Sequence, residues 1–127
     1  MLIYLHHHLK RNRKQNSMDI ENSKAQMRKG VLELCILSIL NEGEHYPTEI
    51  LEQMKKAELL VVEGTIYPLL TRLKNDGLLN YRWVESTGGP PRKYFTLTAD
   101  GKKFLKQLRD AWREMNEAIS KIVENNS

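Results

Sequence analysis

The sequence predicts a mainly α fold carrying one small β-hairpin. Three observations predict it. Helix-sized segments with apolar stripes follow one another before residue 80, two aromatic and β-branched stretches flank a Gly/Pro turn, and the chain finishes on an apolar heptad spacing.

Residues 1–22 show no periodicity and few apolar positions after Leu9, so a disordered tail is expected there, with Met1 and Met18 both standing as candidate translation starts. His6, His7 and His8 are expected to be solvated, because three adjacent positions without a scaffold do not make a closed metal site. A first helix is expected from Ser23 to about Asn41, ending at Glu42-Gly43, with apolar residues from Val31 to Leu40 dense enough to be buried on much of its circumference. Lys24, Arg28 and Lys29 at its start leave two readings open, phosphate contacts or solvated charge. A second helix starts at Pro47, a good first-turn residue, and runs to about Ala57 with Ile50, Leu51 and Met54 inward. Leu59-Leu60-Val61-Val62 is either a turn packed on the core or a small strand.

The stretch from Gly64 to Leu79 predicts a short helix. Proline lacks an amide hydrogen and clashes with the carbonyl four residues earlier, so Pro68 is expected in the first turn, with the start near Gly64 and Thr65. Gly77 is expected to end the helix in the left-handed conformation of a C-terminal cap. Ile66, Leu69, Leu70 and Leu73 make one stripe. The opposite side carries Pro68, Thr71, Arg72 and Asn75, with Thr65, Tyr67 and Lys74 on the flanks. Hydroxyls, an amide and cations on one small helix suit phosphate and base-edge contacts.

Asn80 to Ser86 and Arg92 to Thr98 then flank the turn Thr87-Gly88-Gly89-Pro90-Pro91, which predicts the hairpin. Helix, helix and basic-tipped hairpin is the order of a winged helix-turn-helix domain. In that arrangement the second helix of the pair enters the major groove. The hairpin, with Arg92 and Lys93, lies against the backbone or the minor groove.

The last segment predicts a long helix. Thr98 and Asp100 supply a capping hydroxyl and an acid near the positive end of the dipole. Leu108, Trp112, Met115, Ile119 and Ile122 follow at alternating four- and three-residue spacing, with Phe104 and Leu105 nearer the domain. A helix of about 25 residues is roughly 37 Å long, too long to lie wholly on so small a core. Its far half is expected to meet a second copy, which makes the chain a homodimer. The expected organisation is therefore a tail over residues 1–22, a winged helix-turn-helix domain over residues 23–98 and a C-terminal dimerisation helix over residues 99–125.

Charge supports the same surface. The formal net charge of +4 comes from Lys10, Arg11, Arg13 and Lys14, since no acid precedes Asp19 and the remaining basic residues balance the acids. Distribution is more telling than the total. Residues 31–63 carry seven acids against Lys55 and Lys56, whereas residues 72–113 carry ten basic residues against four acids. A positive field gathered on one helix, the hairpin and the next helix is the footprint of a phosphate-facing surface.

Other chemistries are excluded from expectation. No spaced Cys/His set suggests zinc, and Cys35, the single cysteine, reads as a small buried hydrophobe that cannot form an internal disulfide. His45 has no evident nucleophilic partner, no phosphate-cradling glycine pattern occurs, and the carboxylates are scattered, so neither an enzyme nor a cofactor is expected. With no apolar run of membrane length and no signal-peptide layout, the expected location is cytoplasmic.

Three segments together, Arg28-Lys29-Gly30, EGTIYPLLTRLKNDGLL and GGPPRKYFTLTADG, resemble the PadR-like family of winged-helix transcriptional regulators over about Met27 to Asn125. One departure is Tyr46-Pro47-Thr48-Glu49, where the family's second helix often opens with Gly-Tyr. The resemblance implies a homodimeric repressor binding double-stranded DNA at a pseudo-palindromic operator. It further implies that the helix from Thr65 to Asn75 reads the major groove, that Tyr67 contacts the phosphate backbone and that Arg92 and Lys93 lie on the wing. A single C-terminal helix places the chain with the short-tailed subgroup. In some of its members a tryptophan at the position of Trp112 lines a dimer-interface cavity that takes flat aromatic compounds, which implies a small aromatic effector here. By its own position Trp112 is either dimer core or ligand platform. The alternative function for the same fold is a winged-helix protein-interaction module without operator binding.

Overall fold

The computed structural model describes residues 16–125, with side chains from Ile20 onward. The chain divides into two compact units, Met1–Leu32 and Glu33–Ser127. In the first, helix α1 spans Asn16–Lys29. The helix expected from Ser23 to Asn41 is thus two helices, because Gly30 and Val31 break it and the Val31 amide turns back to the Arg28 carbonyl at 3.0 Å. Glycine costs about 1 kcal/mol in a helix interior, and here the first helix ends just before it. Residues 16–22, expected in the tail, are helical. No apolar stripe marks this helix: Ile20 and Met27 are exposed, and its support is local, as in the Lys24–Glu21 pair at 3.3 Å. Periodicity cannot detect such a helix. The rest of the expected tail, including His6 to His8 and Lys10 to Lys14, lies outside the described residues.

The second unit holds the working fold: α2 (Leu32–Asn41, which begins at the unit boundary), α3 (Pro47–Lys56), α4 (Glu63–Asn75), β1 (Leu79–Val84), β2 (Arg92–Leu97) and α5 (Ala99–Asn125). Ile36, Leu37, Ile50, Ile66, Leu70, Leu73 and Leu79 are fully buried, with Leu40, Met54, Phe95 and Leu105 nearly so. Each contributes roughly 1.5–3 kcal/mol by leaving water. The strands pair antiparallel from Leu79↔Leu97 to Val84↔Arg92. His45 extends this ribbon: its amide donates to the Phe95 carbonyl at 3.2 Å, and the Phe95 amide donates back at 2.9 Å. The α2–α3 connection is thereby tied to the hairpin.

Helix ends set the layout. At the start of α3 the Tyr46 amide donates to Glu49 Oε1 at 3.1 Å, and Pro47 takes a first-turn position. At its end the Leu59 amide reaches the Met54 carbonyl at 2.9 Å, which puts Glu58 at φ 64°, a left-handed conformation costly for a residue with a Cβ. Leu59 to Val62 forms no strand: Leu59 and Val61 are half-buried, while Leu60 and Val62 are exposed. In α4, Pro68 falls in the second turn rather than the first, because the helix already starts at Glu63. The ring removes the amide that would bond to the carbonyl of Gly64, and Gly64 is an exposed residue, a setting in which solvent can serve the freed carbonyl. The other end is as expected. Gly77 adopts φ +80°, its amide bonds to Lys74 and the Leu78 amide bonds to Leu73, each at 3.0 Å.

The start of α5 docks onto that cap. Thr98 Oγ1 accepts the Gly101 amide at 2.9 Å while its hydroxyl donates to the Gly77 carbonyl at 2.7 Å. The Thr98 amide donates to the Leu78 carbonyl at 3.1 Å. A Cβ on Gly101 would stand 2.1 Å from that same carbonyl oxygen, so only glycine fits. Gly101→Ala should therefore lower stability by about 3 kcal/mol, read as a shift in urea midpoint. A wild-type midpoint would rule out the close approach. Glu58→Gly should act oppositely, raising stability by about 1 kcal/mol as the left-handed strain disappears.

Candidate nucleic-acid interface

Burial of Ile66, Leu70 and Leu73 turns the opposite side of α4 outward. Tyr67, Pro68, Thr71, Arg72, Lys74 and Asn75 are exposed there, and Thr65 is half-buried. The expected recognition face is thus one surface. Several of its polar groups already have partners. The Tyr67 hydroxyl donates to Glu63 Oε1 at 3.1 Å. Partial burial, that hydrogen bond and the Glu63 charge raise the phenol's pKa, so it stays a donor. Thr71 Oγ1 donates to the Tyr67 carbonyl at 3.1 Å, leaving its lone pairs for an outside donor. Arg72 Nη2 donates to Glu33 Oε1 of α2. Arg72 is therefore not a bare cation aimed outward.

The hairpin holds its cations differently. Lys93 Nζ lies 4.5 Å from the Tyr81 ring centre and 5.2 Å from that of Trp83. Arg92 lies 4.5 Å over the Tyr46 ring, and Lys74 of α4 lies 5.6 Å from Tyr81. A ring attracts a cation without cancelling its charge, so these three remain available to phosphates. Arg82 instead is gripped by Glu44, Nε to Oε2 at 2.9 Å with a second bond from Nη2 to Oε1. That fork holds the Glu44 carboxyl below its usual range.

A cleft of about 380 Å³ opens between the start of α3, α4 and the hairpin. Leu70 and Phe95 lie at its apolar side, and Tyr67, Thr71, Arg92, Lys93 and Trp83 share its walls. The structure thus brings Tyr67 and Thr71 of α4 and Arg92 and Lys93 of the wing to one cleft, whereas Thr65, Pro68, Arg72, Lys74 and Asn75 do not line it. Sequence reasoning missed Trp83, Tyr81 and Tyr46, which seat the cations. The signal lay in the pairing: Trp83 stands directly across from Lys93, and Tyr81 across from Phe95. Trp83 is 61% exposed, unusual for so large an apolar surface.

Comparisons with known proteins match this fold. The model of the transcriptional regulator PadR-like family matches residues 36–107, more than half of the chain. The chain belongs to the PadR-like family of transcriptional regulators. It is a regulator by family and not an enzyme. A PadR-like transcription factor from Bacteroides fragilis is 56% identical, covering 80% of this chain and 98% of its own, with a TM-score of 0.67. A PadR family regulator from Eggerthella lenta is 29% identical over 87% of this chain and 97% of its own, with a TM-score of 0.76. Bacillus subtilis PadR, solved in complex with operator DNA, is 30% identical over 61% of this chain and 45% of its own, with a TM-score of 0.58. An uncharacterised protein of Lysinibacillus sphaericus is 27% identical over 99 residues, covering 76% of this chain and 91% of its own.

The remaining candidates stay apart from the cleft. Leu108 of α5 is half-buried, while Trp112, Met115, Ile119 and Ile122 are exposed along one helix. Burial pushes the Cys35 thiol up, which makes it a poor nucleophile near neutral pH. Among the described residues no group of His, Cys, Asp and Glu could hold a metal ion, and no helix is long and apolar enough to cross a membrane. Trp83 offers a direct readout of the cleft. In a Trp112→Phe protein, leaving Trp83 as the sole indole, saturating duplex DNA should shift or quench the emission. Unchanged emission at saturation would place the duplex elsewhere.

Proposed function

We propose that the chain is a homodimeric, DNA-binding repressor of the cytoplasm whose α4 enters the major groove of a pseudo-palindromic operator. The observation carrying this reading is the shared outward surface of α4 and the hairpin. Tyr67, Thr71 and Asn75 supply hydroxyls and an amide beside Lys74, Arg92 and Lys93, the cations resting on rings. In the proposed roles, Thr65, Tyr67, Pro68, Thr71, Arg72, Lys74 and Asn75 face DNA from the helix, and Arg92 and Lys93 from the wing. Operator binding by the Bacillus subtilis relative supports the same use of the fold.

The dimer reading rests on α5. At 27 residues it is roughly 40 Å long. Trp112, Met115 and Ile119, at 41%, 53% and 48% exposure, leave an apolar seam that a second copy would cover, with Leu108 and Ile122 continuing the heptad. A two-fold dimer sets the distance between recognition helices, and DNA requires half-sites about one helical turn apart. A planar aromatic effector stacked between paired Trp112 side chains would relieve repression by favouring a dimer of different spacing, through a differential affinity of about 1–3 kcal/mol.

The deciding experiment is a mobility-shift titration on the DNA upstream of the gene, with scrambled competitor at two salt concentrations. A specific, salt-sensitive shift with dimer stoichiometry is expected; no shift from folded dimer would reject DNA binding in favour of a protein partner. Lys93→Ala should weaken binding to all duplexes about equally and reduce the salt slope by about 0.9. For the effector, planar dyes should quench Trp112 and release the operator. Unchanged dye binding by Trp112→Ala would remove the stacking role.

A further inference from the structure

The acids of residues 31–63 oppose the expected attraction to DNA, yet two of them sit on basic groups of the DNA-facing half. Glu33 of α2 holds Arg72 of α4, and Glu44 holds Arg82 of β1. Lys74, Arg92 and Lys93 rest on aromatic rings instead. The two arrangements differ in what a duplex meets. A cation on a ring presents its full charge to any phosphate. A cation on a carboxylate is locally neutral, and using it leaves the carboxylate beside the DNA.

We infer that Glu33 is a specificity-determining residue that withholds Arg72 from DNA of arbitrary sequence. This rests on the DNA-binding function proposed above. Non-specific affinity comes from neutralising phosphates, and Arg72 adds little to it while Glu33 Oε1 holds its Nη2. An operator offers more: a guanine edge or a well-placed phosphate takes two guanidinium bonds at once, which offsets the loss of the carboxylate. The side chains of Arg72 and Glu33 are 55% and 32% exposed, so water and DNA both reach the pair and exchange is feasible. Exposed pairs are weak enough that the discrimination is modest, up to about fivefold. Arg72 then reads DNA only where the site supplies a better anion than Glu33.

The test compares wild type, Glu33→Gln, Arg72→Ala and the double variant by fluorescence anisotropy. The probes are a random-sequence duplex and a duplex from the upstream DNA of the gene, across about 50–200 mM salt. Glu33→Gln should bind the random duplex about three- to fivefold tighter, with a salt slope steeper by about 0.9, and should gain less on the upstream duplex. Arg72→Ala should lose affinity for the upstream duplex alone, and the double variant should lack the Glu33→Gln gain. An unchanged affinity and slope for Glu33→Gln, with wild type binding normally, would overturn this inference alone. So would a gain that persists in the double variant, since general charge would explain it. Wild-type protein that binds neither duplex would overturn the DNA-binding function and this inference together.

Discussion

The carbonyl oxygen of Leu78 is the contact on which the rest of this fold depends. It accepts the Thr98 amide, and the missing Cβ of Gly101 lets the first turn of α5 close over it. Thr98 adds a second tie by donating to the Gly77 carbonyl while capping Gly101. The end of α4 and the start of α5 therefore form one hydrogen-bonded joint. Short backbone contacts of this kind resist sliding better than apolar packing, because each carbonyl must keep a partner within a narrow range of distance and angle. The helix proposed to read DNA and the helix proposed to dimerise share that joint.

The hairpin is positioned by the same economy. β1 leaves Leu78 directly, β2 returns to Thr98, and the His45–Phe95 pair binds the α2–α3 connection to the ribbon. Phe95 and Leu79 enter the core, while Tyr81, Trp83 and Lys93 continue the same face outward. One alternating strand pattern thus serves packing at one end and cation seating at the other. The wing's charge is presented on aromatic supports, and that of Arg72 and Arg82 is answered by acids from α2 and the following turn. The positive surface is graded rather than uniform, with some cations on rings and others on carboxylates.

Much of this was legible in the residues. The stripe Ile66, Leu69, Leu70 and Leu73, the Gly77 stop, the Thr98 cap and the hairpin around Gly88-Gly89-Pro90-Pro91 each rest on local chemistry, and each stands where expected. Errors fell where a local rule had a competitor. Pro68 entered the second turn, where it and Gly64, the residue that would have accepted its hydrogen bond, are both exposed. Gly30 broke a helix whose leucines suggested continuity, and α1 formed without any apolar stripe to announce it.

By itself the sequence determined the elements from Pro47 onward, their order and the outward chemistry of α4, since backbone propensity, capping and periodicity act over a few residues. Only the tertiary structure decided which charges remain available. Glu33 and Arg72 are separated by more than a helix in the chain, as are Glu44 and Arg82, and Arg92 meets Tyr46 only because the ribbon closes on the α2–α3 turn. A charge's neighbours in space are set by folding, and its electrostatic worth falls steeply with distance. The composition of a surface is written in the chain; its state of pairing is written in the fold.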